Sequence, residues 1–426
     1  MEKVENVLKR VYDPRRLSLA WKQVRKNAGA AGIDKMTVEI FADRAGDYLD
    51  LIHEKLKTGR YRFKPARRVL IAKEGSSSKK RKLGIPVIMD RIVNQSLNLA
   101  FMDIFDRDFS ASNFGFRRGR SQHRAIGWVR AKASEGHEWC SSIDLKSFFD
   151  EIPHDLILKL IRRKIRDERV ITLIARALKA GVIVERRLEK TTKGCPQGSP
   201  LSPMLANIVL DELDQELERR GHRFCRWADD FIILTRSERS AYRAMENLTR
   251  FLEEKLKLPV NREKSQVSRL KEVGFLGFQI LRSKIRISTK ARRKFKDKVR
   301  ELTKRNNPLS MVQVIQSLNE YLRGWVAYFR IQEFRKVMGE LDGFIRSRLR
   351  SMQLKKWKTP RKFQRMMIRA GFSPNKARRT WVRMRNWQSV SRPEVRFTLN
   401  LKWFRRQRLV SLNDSVNQTL ELNFNH

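Results

Sequence analysis

Three aspartates stand where aspartate is costly. Ile143-Asp144-Leu145 sets one carboxylate within or at the end of an apolar strand pattern. Trp227-Ala-Asp-Asp-Phe231 sets Asp229 and Asp230 at a tight turn between two further apolar runs. Burying a carboxylate without compensation is expensive, and a pair of divalent cations would offset that cost. Oxygen donors with no neighbouring His favour Mg²⁺, with Mn²⁺ as a substitute. Two such ions about 4 Å apart serve in-line phosphoryl transfer by stabilising the attacking and leaving oxygens together. Aspartate is also a common turn residue, so Asp229-Asp230 alone does not choose between a metal site and a plain turn.

Composition narrows the substrate. The chain has 426 residues, 41% hydrophobic, enough for two or three domains with real cores and too many for a disordered tail or a disulfide-stapled mini-protein. Lys plus Arg number 94 against 46 Asp plus Glu, a formal charge of +48. A compact particle holds such an excess poorly without a polyanion, so nucleic acid is the leading partner. From Arg282 onward roughly 37 basic residues face 9 acidic ones, a density beyond that of an ordinary solvated face. No apolar run approaches the roughly 18 residues of a spanning helix, and MEKVENVLKR has no apolar signal core. No membrane partner is expected, and the expected location is the cytoplasm, at the nucleoid through nucleic acid. Cys140, Cys195 and Cys225 show no CxxC spacing, and neither His nor Cys falls between Cys225 and His426. Zinc modules, a disulfide framework and a His/Cys nuclease at the C-terminal end are excluded on that count.

The carboxylates need a framework, and the first two thirds read as mixed helix and strand. Arg68–Lys73 and Lys82–Ile85 form a hairpin about the Gly75–Ser78 loop, followed by a helix from near Asp90. Cys140–Leu145 reads as a strand, and Pro153-His-Asp155 opens a helix with Leu156, Leu160 and Ile161 on one face. Pro200–Arg220 is a helix with Met204, Leu205, Ile208, Leu213 and Leu217 as its apolar stripe and Gly221 as its stop. Another helix runs through Leu248–Lys257, and Gly274–Phe278 pairs with Ile285–Ile287 as strands. Beyond about Ser288 the pattern is helical, with Ser310 capping a helix and a helix pair about Gly371-Phe-Ser-Pro374. Asp103, Asp106 and Asp108 read as a solvated loop, His154 as structural, and Cys195 and Cys225 as small packed residues. Trp325, Tyr328 and Phe329 read as core. For Trp357, Trp381, Trp387 and Trp403, burial and stacking on bases stand level.

The ordered blocks carry a resemblance. Ile143-Asp-Leu-Lys-Ser-Phe-Phe-Asp150, Cys195-Pro-Gln-Gly-Ser-Pro-Leu-Ser-Pro203, Trp227-Ala-Asp-Asp230, Asn261-Arg-Glu-Lys264 and Phe275-Leu-Gly-Phe278 resemble reverse transcriptase palm motifs in their proper order. Upstream, Asn27–Asp34, Arg67–Lys73, Leu83-Gly-Ile-Pro86 and Asn113–Arg120 resemble blocks of bacterial group II intron reverse transcriptases, or maturases, and Tyr321–Arg330 resembles their thumb helix. The resemblance implies an α+β right-hand polymerase with an N-terminal extension, a helical thumb and a small basic helical C-terminal domain. It divides the chain into extension and fingers (1–135), palm (136–287), thumb or maturase domain (288–358) and a basic nucleic-acid-binding domain (359–426).

Roles follow position by position from the same resemblance. Asp144, Asp229 and Asp230 are the catalytic carboxylates and ligands of two Mg²⁺. Phe149 is a steric gate that excludes a 2′-OH. Arg67 and Lys73 grip the triphosphate, with Arg117 as a further candidate, and Gln197 lies against incoming nucleotide and template. Lys264 is placed near the leaving pyrophosphate. The implied partners are an RNA template, a DNA primer, dNTPs and the intron RNA whose splicing and retrotransposition such proteins assist. The missing His- and Cys-containing module implies the short class without an endonuclease. The family carries Tyr at the position of Trp227, so activity with altered fidelity or nucleotide tolerance is expected. Two rivals remain: a domesticated relative used in DNA repair or phage defence, and an RNA-binding splicing factor with a vestigial polymerase site.

Overall fold

A computed structural model describes residues 3–72, 80–185, 187–281, 284–357, 359–383 and 390–415. Its contacts divide the chain into two units, Met1–Glu272 and Val273–His426. No helix among the described residues is long and apolar enough to cross a membrane.

The strands of the first unit are β1 (Ala66–Ala72), β2 (Lys80–Ile85), β3 (Trp139–Ile143), β4 (Val182–Val184), β5 (Arg187–Glu189), β6 (Arg223–Trp227), β7 (Asp230–Thr235) and β8 (Gln266–Arg269). They build two four-stranded sheets, β2-β1-β4-β5 and β6-β7-β3-β8. The expected basic hairpin is β1–β2, antiparallel from Arg67↔Ile85 to Ala72↔Lys80. Its expected loop at Gly75–Ser78, together with Lys73, lies outside the described residues.

In the second sheet β3 is central and antiparallel to both β7 and β8. Phe231, Ile232, Ile233 and Leu234 of β7 are all buried, the near-continuous apolar run of a strand covered on both faces. The Glu238–Arg250 helix lies along β3, burying Ala241, Ala244 and Leu248. The Ser141 hydroxyl donates to its Ala241 carbonyl at 2.7 Å. The Ser202–Arg219 helix buries the whole expected stripe, and Gly221 beyond it takes φ +71, a conformation glycine adopts without penalty.

The aspartates near residue 105 are not solvated loop. Asp103 closes the Ile88–Phe105 helix and pairs with Arg16 at 3.1 Å. Asp106 meets Arg117 and Asp108 meets Lys164, each at 2.8 Å. Asp103 is exposed on its helix, whereas Asp106 and Asp108 are half-buried, which favours their pairing with a cation.

In the second unit, Gly274–Phe278 forms a tight turn instead of a strand. Phe275 and Phe278 exchange backbone hydrogen bonds of 2.9 Å across Leu276 (φ +50) and Gly277 (φ +80). Strand β9 starts only at Phe278 (Phe278–Leu281) and pairs with β10 (Lys284–Ile287). Helices follow, as expected from Ser288 on. Ser310 caps Met311–Phe329 with a full capping box, its side chain accepting from Gln313 N–H while Gln313 accepts from Ser310 N–H. Phe295, Trp325 and Phe329 pack with centroids 4.4 and 4.6 Å apart, so that aromatic stripe is core. A smaller core joins Trp357, Phe363, Met367, Ala377, Val395 and Leu399, with Trp381 and Trp403 packed against it. Trp357 is buried, while Trp381 and Trp403 are half-buried and keep part of their rings at the surface; Trp387 lies outside the described residues.

Candidate active site

Asp144 follows directly on β3, held from both sides of its peptide. Its N–H donates to Ser265 Oγ at 3.0 Å and its carbonyl accepts from Asn261 N–H at 2.7 Å. The Asn261–Lys264 block is thereby fixed beside it, with Lys264 Nζ 3.6 Å from Asp144 Oδ2. Both side chains are well exposed, at 63% and 43%, so the pair adds little stability and the ammonium can reorient toward a charged ligand.

Asp229 occupies the two-residue turn between β6 and β7, whose ends pair as Trp227↔Asp230. Ala228 takes φ +57, a left-handed conformation unusual for alanine. Burial raises the Asp229 pKa and the charge of Asp144 raises it further; its own N–H, Arg81 and Arg226 pull it back. Asp144 and Asp229 therefore lie within each other's field. Asp230 is the exposed first residue of β7, and its charge reaches the Cys225 thiol. Strand alternation places it on the face opposite Phe231.

A half-buried carboxylate lying in the field of a second, in an all-oxygen setting, suits a hard divalent cation. In this structure the third is not drawn into one cluster with them: among the described residues no group of three or more His, Cys, Asp or Glu is gathered closely enough to hold an ion. The donor chemistry fits; the shared sphere is not assembled.

The remaining motifs converge through backbone contacts. Cys195 N–H donates to the Phe149 carbonyl at 2.6 Å, tying the Cys195–Pro203 block to the short Phe148–Glu151 helix. Phe149 is half-buried against the main core and meets Phe148 edge-on at 5.3 Å. Gly84 N–H donates to the Gln197 carbonyl at 2.7 Å. A Cβ on Gly198 would fall 2.4 Å from the Gly84 carbonyl oxygen, so only glycine fits there. Arg67 directs Nε and Nη2 at the Ala31 carbonyl, 3.1 and 2.8 Å away, which docks the Asn27–Asp34 block onto β1.

Arg117 is a correction. Its side chain is only 7% exposed, and it donates from Nε to Asp106 Oδ1 and from Nη1 and Nη2 to the Ser110 and Asp106 carbonyls. A guanidinium so committed closes a loop and has no reach toward a nucleotide. His154 and the cysteines are structural as expected. His154 Nε2 lies 2.8 Å from the Gly194 carbonyl, and burial lowers its pKa. Burial pushes the Cys195 thiol up to about 12.

Sequence reasoning missed three contributors. Ser265, one residue past its block, anchors Asp144. Arg81 of β2 sends its field to Asp229; its alternation with Leu83 was the available signal. Arg226, one residue before the turn, is completely buried against Asp214, and nothing local marks it.

Residues 71–280 match the family model described as reverse transcriptase (RNA-dependent DNA polymerase). Residues 292–370 match that of the group II intron, maturase-specific domain. Protein YkfC of Escherichia coli (strain K12) is 31% identical over 325 residues, covering 67% of this chain and 85% of that protein. The group II intron-encoded protein LtrA of Lactococcus lactis subsp. cremoris is 32% identical over 272 residues, covering 62% of this chain and 44% of that protein. The chain thus spans less than half the length of this intron-encoded relative.

Proposed function

The chain belongs to the group II intron reverse transcriptase and maturase family, and from that membership we propose that it copies RNA into DNA from a primer and also binds intron RNA to assist splicing. The observation that carries the polymerase reading is the meeting of Asp144 with Lys264 and within the field of Asp229. Asp144, Asp229 and Asp230 would hold two divalent cations, Mg²⁺ or in its place Mn²⁺. When bound, such ions polarise phosphoryl oxygens and lower the proton affinity of an attacking hydroxyl.

The protein's own groups do the rest. Asp144 and Asp229 fix the reacting end of the primer, and Lys264 offers a proton and a positive charge to the departing pyrophosphate. Arg67 and Lys73 grip the triphosphate of a dNTP, and the Gln197 loop backs the base. On this reading residues 1–135 are extension and fingers, 136–287 palm, 288–358 thumb and 359–426 a basic nucleic-acid-binding domain. Primer extension on an RNA template with dNTPs and Mg²⁺ tests it; no extension by the folded wild-type chain would refute it.

Phe149 crowds the space a ribose 2′-OH would take. Phe149→Val should raise incorporation of rNTPs relative to dNTPs by on the order of 10- to 100-fold, measured as the ratio of kcat/KM values. An unchanged ratio would remove Phe149 from that role.

The charge of the helical unit supplies phosphate contacts for the RNA-binding role. If roughly six phosphates are neutralised, affinity for structured intron RNA should fall by about 10³-fold between roughly 50 and 200 mM salt. Filter binding across that range measures the slope, and a flat profile would count against the assignment.

A further inference from the structure

We propose that Arg226, with Asp214 and Asn207, is a positioning clamp that sets the Ala228–Asp229 turn for catalysis. This rests on Asp229 being a catalytic carboxylate. Arg226 and Asp214 are both 0% exposed. Arg226 Nε donates to Asp214 Oδ1 at 2.8 Å, which orients the guanidinium from the Ser202–Arg219 helix. Nη1 is left aimed forward, donating to Asn207 Oδ1 at 2.9 Å and to the Ala228 carbonyl at 3.1 Å. Asn207 then donates from Nδ2 to the Gly115 carbonyl at 2.9 Å.

Gly115 closes the ring from the other side. A Cβ there would lie 2.3 Å from Ala228 N and 3.0 Å from the Trp227 carbonyl carbon. The loop carrying Gly115 is itself pinned to β6, with Phe114 N–H donating to the Arg226 carbonyl and Arg226 N–H to the Ser112 carbonyl, at 2.9 and 3.0 Å. The turn backbone is thus gripped at its amide by close packing and at its carbonyl by a fixed cation.

Such a grip has a physical reason. Ala228 holds φ +57, and a non-glycine residue stays in that region only where its surroundings over-determine it. A structural salt bridge would need only Asp214 and Arg226. The extension through Asn207 to Gly115, and directly to Ala228, is what joins the buried pair to the residue that precedes Asp229.

The test uses the full chain with three substitutions. Asn207→Ala removes the forward link, Arg226→Lys keeps the charge and loses the fork, and Gly115→Ala pushes the turn directly. Each is measured by primer-extension kinetics, by affinity for an RNA–DNA primer-template, by thermal melting and by hydrogen exchange of a peptide spanning residues 226–231. The clamp predicts a kcat reduced on the order of 10- to 100-fold, with KM for dNTP and primer-template affinity within about threefold of wild type. It also predicts turn amides exchanging about tenfold faster. Arg226→Lys failing to fold leaves Asn207→Ala to decide. A folded Asn207→Ala chain with wild-type kcat, or with unchanged exchange at the turn, overturns the clamp. So does a loss of kcat matched by an equal loss of primer-template binding, the pattern of general unfolding. Should the wild-type chain extend no primer, the polymerase reading fails by itself, while the exchange measurement still judges the clamp.

Discussion

Replacing Asp229 with Asn is expected to abolish primer extension and to leave the fold at least as stable as the parent. The two halves have one cause. Asp229 is half-buried, and its pKa is raised first by that burial and then by Asp144. Folding therefore places a negative charge where the protein alone disfavours it. Asn keeps the shape and removes the charge, so the melting temperature should hold or rise slightly, as when a strained functional group is neutralised. Activity should drop by on the order of 10³-fold or more, since Asn holds a divalent cation far less well than a carboxylate. Gel-resolved extension and thermal melting on the same preparation check both halves. Retained activity, or a variant that melts well below the parent, would separate Asp229 from the proposed role.

Asp214→Ala should have the largest effect on stability. It strands the Arg226 guanidinium, which is completely buried and cannot shed its proton to escape the cost. Breaking a buried pair from one side costs about 3–5 kcal/mol, or on the order of 10 °C in Tm for a unit this size. Arg226→Met should cost less, because the stranded group can neutralise itself. Burial already raises the Asp214 pKa, and without Arg226 it would rise further. A carboxyl whose folded pKa lies above its unfolded value contributes stability below the unfolded pKa and loses it as pH rises through the folded one. Arg226→Met should therefore melt progressively lower as pH rises, and the Asp214→Leu, Arg226→Met double variant should recover most of the loss. Equal Tm values for the two single variants would show the pair to be solvated. The double variant should still be slow in extension, since the hydrogen bond to Ala228 is gone.

Features encoded by local pattern could be read before folding. The β1–β2 hairpin, the stripe of Ser202–Arg219 and the Ser310 cap each depend on residues within a few turns of one another, and each stands where patterning placed it. The ordered motifs pointed to Asp144, Asp229 and Lys264, which the fold brings near one another. Side chains whose roles depend on distant partners were opaque. Arg117 looked like a phosphate ligand until the Asp106–Ser110 carbonyls surrounded it. Arg226 and Asp214 are only 12 positions apart, yet their meeting depends on how a helix end returns to a strand. Phe275–Phe278 looked like a strand because its apolar content is high, and Leu276-Gly277 bends it into a turn.

The order of β6-β7-β3-β8 bears on how this protein is made. Strand β3 ends at Ile143, while its neighbours lie at Asp230–Thr235 and Gln266–Arg269. A ribosome adding about 5–20 residues per second leaves β3 without either neighbour for roughly 5–18 s, until β7 has been made. Throughout that interval both of its hydrogen-bonding edges are open to other nascent chains, so yield during expression should depend on chaperone supply and elongation rate well before it depends on the stability of the finished protein.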